Sequence, residues 1–180
     1  AAPVVDAFTD AFRFAPEYAD YPMAAFRKRA KDYVAGFFGD VRGDPSPASV
    51  VVVRRGRVMA AALVKERPGH RPLLDCLFVR PEVFRRGLAT AVVTAAANRL
   101  VAAGHAELSS GVMLANEPSL AWHAGYGFRE RPDYFVAQSR WSAAVNERER
   151  LERIGRLTPA EDARLTAEAD RWAAESERLY

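Results

Sequence analysis

Cysteine, lysine and long apolar runs are what this 180-residue sequence has least of. Its one cysteine, Cys76, excludes a disulfide framework, a cysteine-based zinc spacing and a paired redox motif. A single thiol suits a reducing, cytoplasmic setting. No segment approaches the ~20 apolar residues that a membrane span needs, and no signal peptide is visible. The chain opens at Ala1 without a methionine, which leaves room for a leader or a first strand ahead of it. Lysine occurs only at Lys28, Lys31 and Lys65, although Lys and Arg together number 26. With so many alanines, the arginine excess reads as coding bias rather than as a selected basic face. The net charge is +3, and no basic run is interleaved with stacking aromatics. Neither nucleic acid nor membrane is therefore an expected partner.

What is present describes a globular protein, with 49% apolar and 27% charged residues. A chain this long buries roughly 70% of its unfolded surface and holds a full core without staples. Apolar residues at helical spacing predict a helix from Pro22 to Phe38, with Asp20 as its cap, Pro22 near its first turn and Gly39 as its end. Gly43 to Pro47 reads as a loop. Ser49–Arg54 and Val58–Lys65 read as a buried hairpin, and Leu73–Val79 as a strand closed by Pro81. A helix follows from Gly87 to Ala103, stopped by Gly104. Glu107–Leu114 reads as a strand, Asn116–Gly125 as a short helix and Tyr134–Arg140 as a last strand. The expected fold is a layered α+β domain with a mixed sheet over residues 1–140.

Residues 141–180 are charged and helical. Thr158-Pro159-Ala160-Glu161 has the form of a capping box. Leu165, Ala169, Trp172, Ser176 and Leu179 then mark one face. These residues predict an antiparallel helical hairpin whose stripe packs on the main domain or against a second copy in a homodimer.

The stretch Phe84-Arg85-Arg86-Gly87-Leu88-Ala89-Thr90 joins a basic, glycine-bearing turn to an apolar helix. Phosphate binding at such a turn needs convergent N–H groups, small side chains and a favourable helix dipole. Gly87 and Ala89 supply the small positions, and Arg85 and Arg86 the charge. Taken alone, an ordinary helix start with two solvated arginines explains the stretch equally well.

The second half of the chain decides between them. Val79 and Pro81 precede Phe84-x-x-Gly87-x-Ala89. Asn116 follows, then His123 seven residues later and Gly127-Phe128 four after that. In these blocks residues 49–140 resemble the GNAT superfamily of N-acetyltransferases. The resemblance implies a mixed, mostly antiparallel sheet flanked by helices, acetyl-CoA as co-substrate and a small-molecule or peptide amine as acceptor. It implies that Leu77, Phe78 and Val79 line the pantetheine arm and that Arg85, Arg86, Gly87, Leu88, Ala89 and Thr90 hold the pyrophosphate. Asn116 and Ser119 are implied as further cofactor contacts, Asn116 serving equally as a helix N-cap. The sequence departs from the family at Phe84, where a polar residue is usual, and at His123, where tyrosine is commoner.

His123 is the implied acid for the leaving thiolate, whose pKa is near 8.5; a packed helix residue is its plainer reading. An alkylamine of pKa ~10.4 costs about 4–5 kcal/mol to deprotonate at pH 7, so a base or a desolvated site should exist. Gly111 stands where some relatives carry a carboxylate. Asp75, placed with Leu77 and Val79 on one strand face, is a candidate base, and Glu107 another. The aromatics Phe8, Phe12, Phe14, Tyr18, Tyr21 and Tyr33 lie on the expected acceptor side. A non-catalytic acyl-CoA-binding or sensing domain is the alternative function, and room near Cys76 and Phe78 would set the size of the acyl group.

Overall fold

In the computed structural model, which describes residues 2–39, 43–131 and 133–179, the valine and alanine runs form the expected hairpin. The hairpin follows a two-residue edge strand, β1 (Asp44–Pro45), in a segment expected as loop. β2 (Val50–Arg54) turns at Arg55 and Gly56 into β3 (Arg57–Glu66). Both turn residues have positive φ, 49° and 74°, as a two-residue hairpin with right-handed strand twist requires. The expected burial holds for β3 only. β1 and β2 share one side of β3 and β4 (Leu73–Val79) takes the other, so β3 is central and β2 lies at an edge. Val51 and Val53 are accordingly 41% and 59% exposed.

Two helical layers cover β3. Ala61 and Leu63 join a core of Phe8 from α1 (Ala2–Phe12), Phe26, Val34 and Phe37 from α2 (Met23–Phe38), and Cys76 and Phe78. Ala60, Ala62 and Val64, which alternate with them, are also fully buried. Helix α3 (Leu88–Ala102) packs on β2, β3 and β4 and buries Val92, Val93, Ala96 and Leu100. Of the aromatics expected on the acceptor side, Phe8 is thus in the core, Phe12 is partly buried against it and Phe14 is exposed. At the other end of α2, Lys65 is buried at 1% exposure. Its ammonium donates to the carbonyls of Gly36 (3.1 Å), Gly39 and Gly43 (2.6 Å), a cation placed on the last orphan carbonyls of the helix. The helix begins after Pro22 with no side-chain cap, so the expected role of Asp20 is not used.

The fifth strand among the described residues, β5 (Ser109–Ser110), runs parallel to β4, and all other pairs are antiparallel. It is far shorter than the expected 107–114. Helix α4 (Glu117–Tyr126) follows, stopped by Gly127 at φ 112°.

The chain divides into two compact units, Ala1–Gly127 and Phe128–Tyr180. In the second, the expected strand 134–140 is the start of helix α5 (Tyr134–Arg153). The side chain of Asp133 accepts a bond from the Val136 amide at 2.8 Å, and this N-cap together with the seven-residue stripe Ala137, Ala144, Leu151 overrides the strand propensity of Tyr134-Phe135-Val136. Helix α6 (Pro159–Leu179) opens on the expected capping box: the Thr158 amide donates to Glu161 at 3.1 Å and the Glu161 amide to Thr158 Oγ1 at 3.2 Å. Contacts of Gln138 with Ser176 and of Arg148 with Asp162 show the two helices antiparallel. Leu165, Trp172 and Ser176 are buried. No helix among the described residues is long and apolar enough to cross a membrane.

Candidate active site

The first unit contains a sheet that stops pairing partway along. β4 meets β5 only at Leu73↔Ser109 and Leu74↔Ser110. One residue further, the register against β3 steps from Leu74 opposite Val64 to Cys76 opposite Leu63, which leaves Asp75 as the extra residue of a β-bulge. Such bulges re-aim backbone and side chains where pairing ends. The Tyr33 hydroxyl donates to the Asp75 carbonyl at 2.6 Å. The Arg80 amide donates to Met59 on β3 at 2.8 Å, so by alternation the backbone groups of Leu77 and Val79 point the opposite way. Among the described residues they have no strand partner on that side. Phe78 and Cys76 bury their side chains in the core.

The strand ends at an anchored residue. Arg80 is 1% exposed, donates Nε to Val58 O at 2.7 Å, and pairs with Asp6 and Asp10 of α1. A single 3-10 turn, Pro81–Val83, leads into the basic turn. Arg85 and Gly87 both have left-handed backbones, at φ 60° and 74°. No N–H from Arg85 to Thr90 finds an acceptor among the described residues; the first bond beyond them is Ala91 N–H to Gly87 O at 2.9 Å. Six adjacent donors at a helix N-terminus, with two exposed arginines beside them, are fitted to an anion. A Cβ built on Gly87 would meet nothing within 4 Å, so the turn needs glycine for its φ rather than for space. Phe84 is 51% exposed and touches none of this with a polar group.

Helix α4 presents the third part. Asn116 is its N-cap, accepting from the Ser119 amide at 3.2 Å, while its Nδ2 donates to Glu17 Oε1 at 2.8 Å. Glu17 belongs to a 3-10 turn, Pro16–Tyr18, between α1 and α2. His123 is 8% exposed. Its Nδ1 lies 2.7 Å from the Ser119 carbonyl, which only accepts, so the proton sits on Nδ1. In the neutral ring Nε2 is then the acceptor, and Ser110 Oγ of β5 stands 3.0 Å from it.

A cavity of about 210 Å³ lies where these parts meet. It gathers Asp75, Leu77, Asn116, Ser119 and His123 from the expected residues. Val79 and the turn 85–90 lie outside its lining, as do the other candidate base Glu107, paired with Arg71, and the histidines His70 and His105. The alternation behind Asp75's expected face is broken at the bulge. Sequence reasoning missed Ser110 and Glu17. No motif marks either: one follows from a two-residue strand and the other from a contact across 99 positions. Tyr18, also in the lining, has its hydroxyl pKa raised, first by burial, with a hydrogen bond to Arg29 acting against it.

A mixed, mostly antiparallel sheet that splits beside a helix start with unclaimed N–H groups, with a cavity in the split, defines the class of fold. The Acetyltransferase (GNAT) family model matches residues 4–128, and the chain belongs to that family. No curated protein matches it. Among solved structures, a protein from Pyrococcus horikoshii OT3 shares the fold at TM-score 0.57 and 11% identity, over 73% of this chain and 82% of that one. A GCN5-related N-acetyltransferase from Ralstonia eutropha JMP134 is 20% identical over 73% and 85%, at TM-score 0.47. The aminoglycoside N-acetyltransferase AAC(6')-Iy, solved with the bisubstrate analogue CoA-S-monomethyl-acetylneamine, is 16% identical over 71% and 86%, at TM-score 0.45.

Proposed function

We propose that the protein is an N-acetyltransferase that moves an acetyl group from acetyl-CoA directly to a primary amine. The observation that carries the reading is the run of unclaimed N–H groups from Arg85 to Thr90, set at the end of the strand whose other edge is open. A diphosphate would sit on the turn, aided by Arg85 and Arg86. The amide-bearing pantetheine arm would continue along Leu77 and Val79 as a substitute strand, and a strand N–H would meet the oxygen of the developing tetrahedral carbon. Phe78 then serves through its backbone alone. The missing polar residue at Phe84 matters little to a site built from backbone amides.

The proton traffic falls to His123 and Ser110. With Nδ1 held by the Ser119 carbonyl, Nε2 takes a proton through the Ser110 hydroxyl as the amine attacks. The resulting imidazolium returns one by the same path to the CoA thiolate. Asp75, at the bulge, is placed to favour the positive charge of the attacking nitrogen. Asn116 orients the start of α4, and Ser119 supports His123.

Mass spectrometry of an amine library incubated with acetyl-CoA and the protein tests this. Products heavier by one acetyl group, with free CoA released in equal amount, are expected. Tight acetyl-CoA binding without any acetylated product makes the protein a non-catalytic acyl-CoA sensor instead. No binding at millimolar acetyl-CoA removes both readings.

A further inference from the structure

Glu17, which lines the cavity beside β4, has a carboxylate oxygen with no partner among the described residues. Glu17 Oε1 is held by Asn116, but Oε2 is buried and meets no hydrogen-bond donor among the described residues. A buried anionic oxygen left unmatched is expensive and rare in a finished structure. The lining around it holds a second carboxylate, Asp75, and neither lysine nor arginine. Aromatic faces of Phe8, Phe12, Tyr18 and Tyr33 complete the wall. Phe8 is packed 4.5 Å from Phe12 and 5.2 Å from Tyr33 between ring centroids, so the wall is stiff. Arg29 reaches the Tyr18 hydroxyl without entering the lining, and two carboxylates with aromatic faces are the chemistry that receives an alkylammonium.

We infer that Glu17 is the binding residue for the acceptor's ammonium group, and that the acceptor is a compact primary amine on an apolar or aromatic stem. The cavity's 210 Å³ is about seven water volumes at ~30 Å³ each. That volume is enough to admit such a head group. Because Oε1 is held by the N-cap of α4, the Glu17 side chain has little rotamer freedom to lose on binding. The same bridge joins the acceptor wall to the helix that carries His123. The inference rests on the acetyltransferase reading for the nature of the bound amine, so its test is made on binding and not on turnover.

Phenethylamine and n-hexylamine, with 3-phenylpropanol as uncharged control, would be titrated calorimetrically into the full chain and into Glu17→Gln and Glu17→Asp. Glutamine keeps the acceptor for Asn116 and removes the charge. The expected result is amine binding weakened about tenfold or more in Glu17→Gln, partly restored in Glu17→Asp, with alcohol binding, acetyl-CoA binding and circular dichroism unchanged. Amine affinity equal in wild type and Glu17→Gln, or no amine binding to the wild type at millimolar concentration, overturns the inference. If amines bind through Glu17 but acetyl-CoA does not bind at all, the acetyltransferase reading fails and the amine site stands.

Discussion

Replacing Gly87 separates two ways in which the basic turn can fail, backbone strain and charge. Alanine introduces only the first, since its Cβ meets no atom within 4 Å. Holding a non-glycine residue at φ 74° costs about 1–2 kcal/mol, offset by the ~0.4–1 kcal/mol that alanine removes from the entropy of the unfolded chain. The net loss of about 1 kcal/mol should lower Tm by roughly 2–4 °C for a chain of this size. Acetyl-CoA affinity should fall by no more than about tenfold, the equivalent of ~1.4 kcal/mol. Glutamate carries the same strain and adds a carboxylate beside the diphosphate. Two like charges ~6 Å apart at an effective dielectric of ~20 repel by about 3 kcal/mol, roughly a further hundredfold in Kd. The assay is calorimetric titration of acetyl-CoA into wild type, Gly87→Ala and Gly87→Glu, at low salt and near 1 M salt. There the Debye length falls to ~3 Å, and the excess penalty of the glutamate should shrink toward the alanine value. Equal weakening by the two variants at low salt would refute the charge argument. Wild-type affinity in both would refute the placement of the diphosphate on this turn.

Other outcomes follow from the same geometry. His123→Gln and Ser110→Ala should each lower kcat by about a hundredfold while leaving the acetyl-CoA Kd within about twofold, as stopped-flow and calorimetry would show; unchanged kcat removes the pair from proton transfer. Lys65→Met strips three carbonyls of a charged donor but returns the cost of burying the ammonium. A net destabilisation of about 2–4 kcal/mol is expected in urea unfolding, and under ~1 kcal/mol would show the bonds to be incidental. Glu161 has its carboxyl lowered from the ordinary 4.5, chiefly by the Thr158 side-chain bond and then by the Thr158 amide. Its contribution is therefore complete above pH 4.5 and vanishes as pH falls through the lowered value. An NMR titration should place its midpoint below 4.5, and Thr158→Ala should move it only part of the way back, because the amide of residue 158 still donates.

The parts of this molecule that could be read from sequence are those in which chemistry and spacing lie along one short stretch. Gly87 and Ala89 marked the helix start, Thr158 and Glu161 the start of α6, and Asn116 and His123 the cavity-facing side of α4. Tyr134 to Arg140 misled because its aromatic and branched residues favour a strand locally. The deciding facts were a cap at Asp133 and a stripe reaching Leu151, beyond the window in which propensity acts. Glu107 to Leu114 misled for the opposite reason: strand-like residues lack a partner once β4 turns away. The slip at Asp75 and the bridge from Glu17 to Asn116 depend on how distant segments meet, which no local pattern records.

The two-residue ladder between β4 and β5 also bears on how the protein behaves when nothing is bound. Leu77 and Val79 then offer an unmatched strand edge to water, and their amides should exchange with solvent faster than those of the neighbouring ladder with β3. Such an edge is open to a strand from another chain as well as to a ligand. The bulge at Asp75 twists it, which makes a foreign strand fit poorly while a flexible amide-bearing arm still follows. A bound arm would complete that edge, and the Leu77 and Val79 amides should then exchange as slowly as those in the ladder with β3.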